Sequence, residues 1–552
     1  MNRSFCAETW GARMLLTGLL LSIAPVAWAE AIRTTVDLGE DLKLDELPKE
    51  AAELGLERKD DAIELELEDA IALTLRRNLA LVVERYRRSQ AIQGVKEAFG
   101  IFDLNLGGNL VISESSSLIT TTLVETEGGS VTDESTVFNA DLSQLTAWGG
   151  SANLSFRNQR TETDNQRSIN NPQFVLNLDV SYTQPLLRNF GKQTTYNGVL
   201  VARNNSAISR EAFRNQVEGF VQQVSEQYWR LVEALQQLKV SEESLALARE
   251  LHDMNRIQVE VGTMAPLEMV QSEAGVATRE EEIIRRQAAV EDSMDVLRQL
   301  LNLDRIEYWD LDIVPVTDPI TDYVEIDFAK AYATALQKRT DVEQQRLTNA
   351  NRELQLALAR NQLKPSLDLT VGYGVNAVDG TRPGLSPAGE EILIENDYFD
   401  AVDQLLDGES NGWSVQAVFA YPLQNRSAKA RLATADLDFE QGEVEMRDLE
   451  QQVLLNIRSL ARAVRTAQQQ IESAEVSTKL QRKNLEAERK RYENGLATSF
   501  EVLQIQEDLT EALSREVSAI TNYRRALNDF YFATGEILDK VGVELVEPKG
   551  EE

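Results

Sequence analysis

Residues 203 to 260 contain no proline and a single glycine, Gly219, and residues 428 to 494 again contain no proline and a single glycine, Gly442. Nothing in either stretch stops a helix, and at about 1.5 Å per residue each could extend some 85 to 100 Å. Within them Val217, Val221, Val224, Tyr228, Leu231, Leu235 and Leu238 step by alternating fours and threes, as do Val453, Ile457, Leu460, Val464, Ala467, Ile471 and Ala474. That is the seam of a coiled coil, and one such stripe could equally be the core of an ordinary helical bundle. Two of them, on helices this long, point to an extended coiled-coil array.

The two stretches are copies. At a spacing of 233 residues, Arg256 to Gln271 (RIQVEVGTMAPLEMVQ) lies over Arg489 to Gln504 (RKRYENGLATSFEVLQ), with Arg, Glu, Gly, Glu and Gln identical. With small shifts, Leu67 to Ile71 faces Phe328 to Tyr332, and Phe102 to Leu106 faces Leu363 to Leu367. The expectation is a tandem duplication, with a first repeat over 61–305, a linker over 306–327, a second repeat over 328–537 and a tail over 538–552. Each repeat reads as helix, strand, strand, helix, helix, the first helices running from Leu67 to Ala98 and from Phe328 to Leu363.

Between the helices the period falls to two. Leu104, Leu106, Leu110 and Ile112 alternate with Asn105, Asn109 and Ser113, and Phe174 to Tyr182 alternates with Asn177, Asp179, Ser181 and Thr183. Leu367, Leu369, Val371 and Tyr373 form a third strand, and Trp413, Val415, Ala417, Phe419 and Tyr421 a fourth. Each is about ten residues, the length of a tilted transmembrane strand, although a soluble sandwich alternates too. Four strands cannot close a barrel, and open edges in lipid leave backbone groups unpaired, so copies must associate. Two copies would give eight strands and three would give twelve, with only the larger ring leaving a water-filled lumen. The descending strands end at Pro185 and Pro422, where a missing N–H suits the passage from ladder to helix.

Two segments lie between these strands. In the first, Phe138, Ala140 and Leu142, then Trp148-Gly149-Gly150, then Ala152, Leu154 and Phe156 carry a hairpin signal. If that hairpin joined the barrel, a trimer would hold eighteen strands; twelve is the default. The second, Asn376 to Asn411, reads as an exposed outer loop from its glycines, prolines and acids.

Arg3 and Arg13, the apolar run Met14 to Val26, and Ala27-Trp28-Ala29 form a secretory signal over residues 1–29, the alternative being a membrane anchor shorter than the ~20 residues that span a bilayer. Cleavage after Ala29 would remove Cys6, the single cysteine, and leave an acidic extension over 30–60. With His252 the single histidine, a multi-histidine metal site and paired-cysteine chemistry are excluded and a Ser/His/Asp triad is improbable. A net charge of -34 repels phosphate backbones, so no nucleic acid is expected. No cofactor or metal is called for.

The stretches TQPLLRNFG (183–191) and WSVQAVFAYPLQNR (413–426), the turns VEVG and YENG, and the EMVQ and EVLQ segments after them resemble the TolC-type outer-membrane efflux proteins. Their order, spacing and duplication cover nearly all of the chain from about Leu67 to Gly535. The resemblance implies a mostly α fold with transmembrane β: a homotrimer whose β-barrel in the outer membrane continues as an α-helical coiled-coil barrel through the periplasm. It further implies a periplasmic adaptor protein and an inner-membrane pump or ABC exporter as partners, with outer-membrane lipid around the barrel. The function implied is that of a passive exit duct in a tripartite efflux or type I secretion system, not an enzyme. The rival reading is a non-conducting coiled-coil spacer of the envelope.

By the same resemblance the tunnel tip lies at the turns Val261 to Pro266 and Asn494 to Ser499. Glu268 and Glu501, six residues past Gly262 and Gly495, match the first acidic position of the family's aperture, though either could be a solvated acid at a helix N-terminus. Gln271 and Gln504 occupy what is often a second acidic position, Ala497 stands where a gating arginine can occur, and Tyr492 matches a tyrosine that helps hold the closed state. Arg256, Gly262, Thr263, Arg489, Gly495 and Leu496 are the candidates for adaptor contact at the tip, the two arginines alternatively pairing with Glu260 and Glu493.

Overall fold

A computed structural model describes residues 58–59, 62–118, 129–165, 167–303, 309–319, 323–385 and 390–543. The expected signal over 1–29 and most of the extension over 30–60 lie outside these residues. The chain forms two compact units, each drawing segments from both halves of the sequence: Met1–Ser89, Gln223–Ile320 and Ala474–Thr521 in the first, Gln90–Gln222, Thr321–Ser473 and Asn522–Glu552 in the second.

The first half contains β1 (Arg58–Lys59), β2 (Ala62–Leu65), α1 (Leu67–Arg77), α2 (Leu79–Phe99), β3 (Asn105–Leu118), β4 (Ser130–Leu145), β5 (Ser151–Thr163) and β6 (Gln173–Pro185). It continues through α3 (Lys192–Thr195), α4 (Asn197–Glu260), α5 (Pro266–Leu300) and β7 (Asp312–Pro315). The second half contains α6 (Phe328–Lys338), α7 (Thr340–Gln362), β8 (Ser366–Gly380), β9 (Arg382–Leu385), β10 (Glu391–Ile394), α8 (Tyr398–Asp407), β11 (Ser410–Ala420), α9 (Arg426–Glu493), α10 (Ser499–Thr534) and α11 (Ile537–Lys540).

The long helices form where proline is absent, α4 over 64 residues and α9 over 68. Their seams are the buried stripes: Val217, Val221, Val224, Tyr228 and Leu231 on α4, and Val453, Ile457, Val464, Ala467 and Ile471 on α9. In the first unit β1, β2 and β7 form a small sheet, β2 and β7 being parallel. Tyr228 anchors it, its hydroxyl donating to the Leu65 carbonyl at 3.0 Å and accepting the Thr317 N–H at 3.0 Å. The second unit holds a six-stranded antiparallel sheet in the order β11-β8-β6-β5-β4-β3.

Three expectations are corrected. The first helix of each half is broken, at Asn78 and at Arg339. Asn78 is extended, with ψ 119, and its side-chain oxygen accepts the Ala80 N–H at 2.9 Å, so it ends α1 and caps α2 at once. Arg339 is extended too, held by Asp341 at 2.6 Å and by the Ala533 carbonyl at 3.0 Å. Second, the chain contributes six long strands and not four, because β4, of 16 residues, and β5, of 13, pair around the Gly149-Gly150 turn. Third, the segment from Asn376 to Asn411 is not simply a loop: β8 runs on to Gly380, and α8 follows, started by a capping box between Asp397 and Asp400 and stopped by left-handed Gly408 at φ 68.

Candidate conducting sheet and helix-turn tip

In the six-stranded sheet of the second unit the registers of adjacent strands line up into rows that cross the whole sheet. One row reads Leu106, Leu142, Leu154, Val180, Tyr373, Trp413. One residue along, on the other face, it reads Asn105, Ser143, Asn153, Ser181, Gly372, Ser414, and the next on that face is Gly107, Asp141, Ser155, Asp179, Gly374, Gly412. Across these rows a period of two, kept in phase by the ladders, separates an apolar face from a face of small polar side chains. The apolar face is bare over much of its area: Leu106 is 76% exposed, Ile112 76%, Trp413 79% and Phe419 66%. A water-soluble sandwich would cover such a face with a second sheet, whereas lipid covers it in a membrane protein.

The sheet meets the helices through turns that need special backbone. Asn189 and Asn425 have positive φ, 64 and 42, shortly after Pro185 and Pro422. Asn189 takes a bond from its N–H to the Asn361 Oδ1 at 2.7 Å. Gly149 has φ +85, and a Cβ there would lie 2.5 Å from the Asn189 carbonyl oxygen. The β4–β5 turn is therefore seated on the strand-to-helix junction, with Trp148 stacked on Phe190 at 6.1 Å between ring centroids.

In the first unit, two helix hairpins come together at their turns. After α4 the chain reverses at Gly262, φ 75, and re-enters helix at Pro266, whose lost N–H is an unbonded one in a first turn anyway. After α9 it reverses at Gly495, φ 71. There Thr498 and Glu501 bond reciprocally: the Thr498 N–H donates to Glu501 Oε2 at 2.7 Å and the Glu501 N–H to the Thr498 hydroxyl at 3.3 Å. These bonds hold the Glu501 carboxyl below its ordinary range.

The hairpins are joined by polar bonds in an apolar setting. The Tyr492 hydroxyl donates to Asn255 Oδ1 and lies 3.7 Å from Met264 Sδ, while Asn255, fully buried, donates to the Glu268 carbonyl at 3.3 Å. Leu251, Tyr492 and Val502 are the buried centre, with Met254, Met264, Leu485, Ala497 and Leu503 around it. Burial, then the Glu268 charge, pushes the Tyr492 phenol up to about 12, so it stays a donor at any physiological pH. The Ser499 hydroxyl donates to Glu268 Oε2.

Residues 331–536 match the family model of outer membrane efflux proteins. Among solved structures, the fold is similar to the CmeC outer membrane channel of Campylobacter jejuni, with TM-score 0.58 and 16% identity over 85% of this chain and 86% of that one. It is similar also to CusC, with TM-score 0.60 and 15% identity over 87% and 96%, and to the outer membrane protein VceC of Vibrio cholerae, with TM-score 0.59 and 15% identity over 85% and 96%. No curated protein matches it in sequence. Over residues 331–536 the chain carries the sequence pattern of the outer membrane efflux proteins, and its fold is that of outer-membrane channels.

Glu268, Glu501, Tyr492, Gly262 and Gly495 sit at the two turns. Glu268 reaches across to the other hairpin, whereas Glu501 is engaged by its own helix start. Gln271 is half-buried, Gln504 and Leu496 are exposed, and Thr263 closes its turn by donating from its hydroxyl to the Gln258 carbonyl at 3.0 Å. Arg256 pairs with Asp253 and Glu260. Arg489 bonds Glu250 on the other hairpin as well as Glu493, and the Glu250 bonds raise its pKa. Sequence reading missed Asn255, Met264 and Ser499, whose roles depend on partners about 230 residues away. It also passed over Asn189 and Asn425, for which the repeated Pro-x-x-(x)-Asn spacing was the available signal.

Proposed function

We propose that three copies of this chain close their sheets into one eighteen-stranded outer-membrane barrel that serves as a passive exit duct. The observation that carries the reading is the apolar row from Leu106 through Leu142, Leu154, Val180 and Tyr373 to Trp413 on one sheet face, set against rows of asparagine, serine, glycine and aspartate on the other. The edge strands β3 and β11 run in opposite directions, so β11 of one copy can pair antiparallel with β3 of the next. Left open in lipid, each unpaired backbone group costs several kcal/mol, which favours closure. A barrel widens roughly in proportion to its strand number, so eighteen strands give a lumen about half as wide again as twelve.

The polar face then lines the water path, and α4, α5, α9 and α10 of the three copies, two duplicated repeats over 61–305 and 328–537, continue it into the periplasm. The two helix turns form its closed tip, with Glu268 and Glu501 as the acids nearest the aperture and Tyr492 holding the hairpins together. Exposed Gly262, Thr263, Gly495 and Leu496, with Arg256 and Arg489 behind them, are the surface offered to a periplasmic adaptor, through which an inner-membrane pump or ABC exporter loads cargo. An expected secretory signal over 1–29 delivers the chain.

The test is a planar-bilayer recording on the purified full chain. Discrete steady conductance steps, with electron microscopy showing three-fold particles, are expected. A protein that inserts yet passes no ions would overturn the duct and favour the spacer.

A further inference from the structure

The apolar face of the sheet is not bare along its full height. β8 has 15 residues, more than the ~10 that cross the apolar band of an outer membrane; its outward positions Leu367, Leu369, Val371 and Tyr373 lie below the cluster under α8, and Val375 marks the edge where the strand begins to pack against that cluster. Beyond that point the same face is covered. Phe174, Leu176 and Ala377 are buried beneath Ala401 and Leu405 of α8, with Tyr398 edge-on to Phe174 at 5.9 Å. The strands continue past the height of a bilayer, and where they do, α8 takes the place of lipid.

The helix is asymmetric about its packed stripe. Gln404 accepts the Val378 N–H at 3.0 Å, a ladder position left open because β11 starts opposite Asn376, one step closer to the bare band. At 100° per residue, Phe399 and Leu406 fall on the flank opposite Gln404, next to Val402. Phe399 is 55% exposed and Leu406 75%. Asp400, Asp403 and Asp407 occupy the outward arc between that flank and Gln404. Since Gln404 is engaged on the side away from the bare band, Phe399 and Leu406 are turned toward it.

We propose that α8 is an interfacial anchor of the barrel, lying along its outer wall at the level of the lipid headgroups with Phe399 and Leu406 inserted among the upper acyl chains. The inference rests on the reading of the apolar face as the lipid face. An apolar flank beside an acidic one is what an in-plane helix needs: the first dips below the headgroups and the second stays in water. Three copies would set three such helices around the rim and fix how deep the barrel sits.

Nitroxide labels test it. In the full chain with Cys6→Ser, single labels are placed through Phe399→Cys, Leu406→Cys, Asp403→Cys and, in the bare band, Val371→Cys, and the protein is reconstituted in dioleoylphosphatidylcholine vesicles. Collision with oxygen, which partitions into lipid, is compared with collision with a water-soluble nickel chelate. The depth parameter is expected to be positive at 371, 399 and 406 and negative at 403. A positive value at 371 with negative values at 399 and 406 overturns the anchor and leaves the barrel standing. A negative value at 371 overturns the membrane reading itself.

Discussion

Glu218 on α4 offers a stability test whose sign follows from burial. The residue is 2% exposed, with Arg214 one helical turn away at 2.9 Å and Glu211 and Arg339 near it. Desolvation outweighs the attraction of Arg214 and pushes the carboxyl up from 4.5 to about 7. Below pH 4.5 the group is protonated folded or unfolded and has no effect. Between 4.5 and about 7 the unfolded chain releases the proton while the folded one keeps it, so rising pH favours unfolding, and above about 7 the loss is complete. At about 1.36 kcal/mol per pH unit, that window corresponds to roughly 3 kcal/mol. Glu218→Gln removes the charge and keeps the shape. Urea unfolding of the detergent-solubilised protein, followed by far-ultraviolet circular dichroism, should therefore give equal stability for the two chains at pH 4.5 and a variant more stable by about 3 kcal/mol at pH 8. An equal gap at both values, or a variant less stable at pH 8 because Arg214 has lost its partner, would refute the reasoning.

At the tip, Tyr492→Phe leaves Asn255 Oδ1 buried without its hydroxyl donor, a loss of about 1–3 kcal/mol. If the two hairpins hold the aperture shut, single-channel recordings should show open times favoured by roughly tenfold or more, and unchanged gating would remove Tyr492 from the closure. In the sheet, Leu154→Arg puts a charge on the apolar face and should cost about 2–4 kcal/mol in folding into vesicles, whereas its neighbour Ser155→Arg should fold normally and lower cation preference in reversal-potential measurements. The opposite pattern would mean that the faces are reversed. Gly149→Ala forces a Cβ against the Asn189 carbonyl and strains a φ of +85, so the yield of folded protein, read by heat-dependent gel mobility, should fall sharply. A normal yield would show that the β4–β5 turn does not rest on the junction.

Much of this was legible in the sequence because the two periods are strong signals. The heptad stripes gave α4 and α9 to within a few residues, and alternation placed four of the six long strands, with the β4–β5 hairpin read only as an alternative, since burial on one face repeats locally. What escaped depended on single polar groups. Asn78 and Arg339 interrupt helical patterns that are apolar on both sides of the break, and only their bonds to Ala80 and Asp341 reveal it. The helix α8 is ten residues among acids and glycines, and Ala401 and Leu405 look like loop residues until Phe174 and Leu176 lie beneath them. At the tip the turn glycines were readable, but the partner of Tyr492 was not, because Asn255 has glutamate at its repeat-related position, Glu488.

The two unpaired edges of the sheet, β3 and β11, bear on heredity as well as architecture. A chain whose edges can be satisfied only by its neighbours does not finish folding alone, so insertion and assembly become one event whose rate rises steeply with the local supply of copies. In the three-copy ring proposed above, one defective edge would spoil two sound partners. A cell making equal amounts of normal and edge-damaged chain would complete only about one ring in eight, and the damaged allele would behave as dominant.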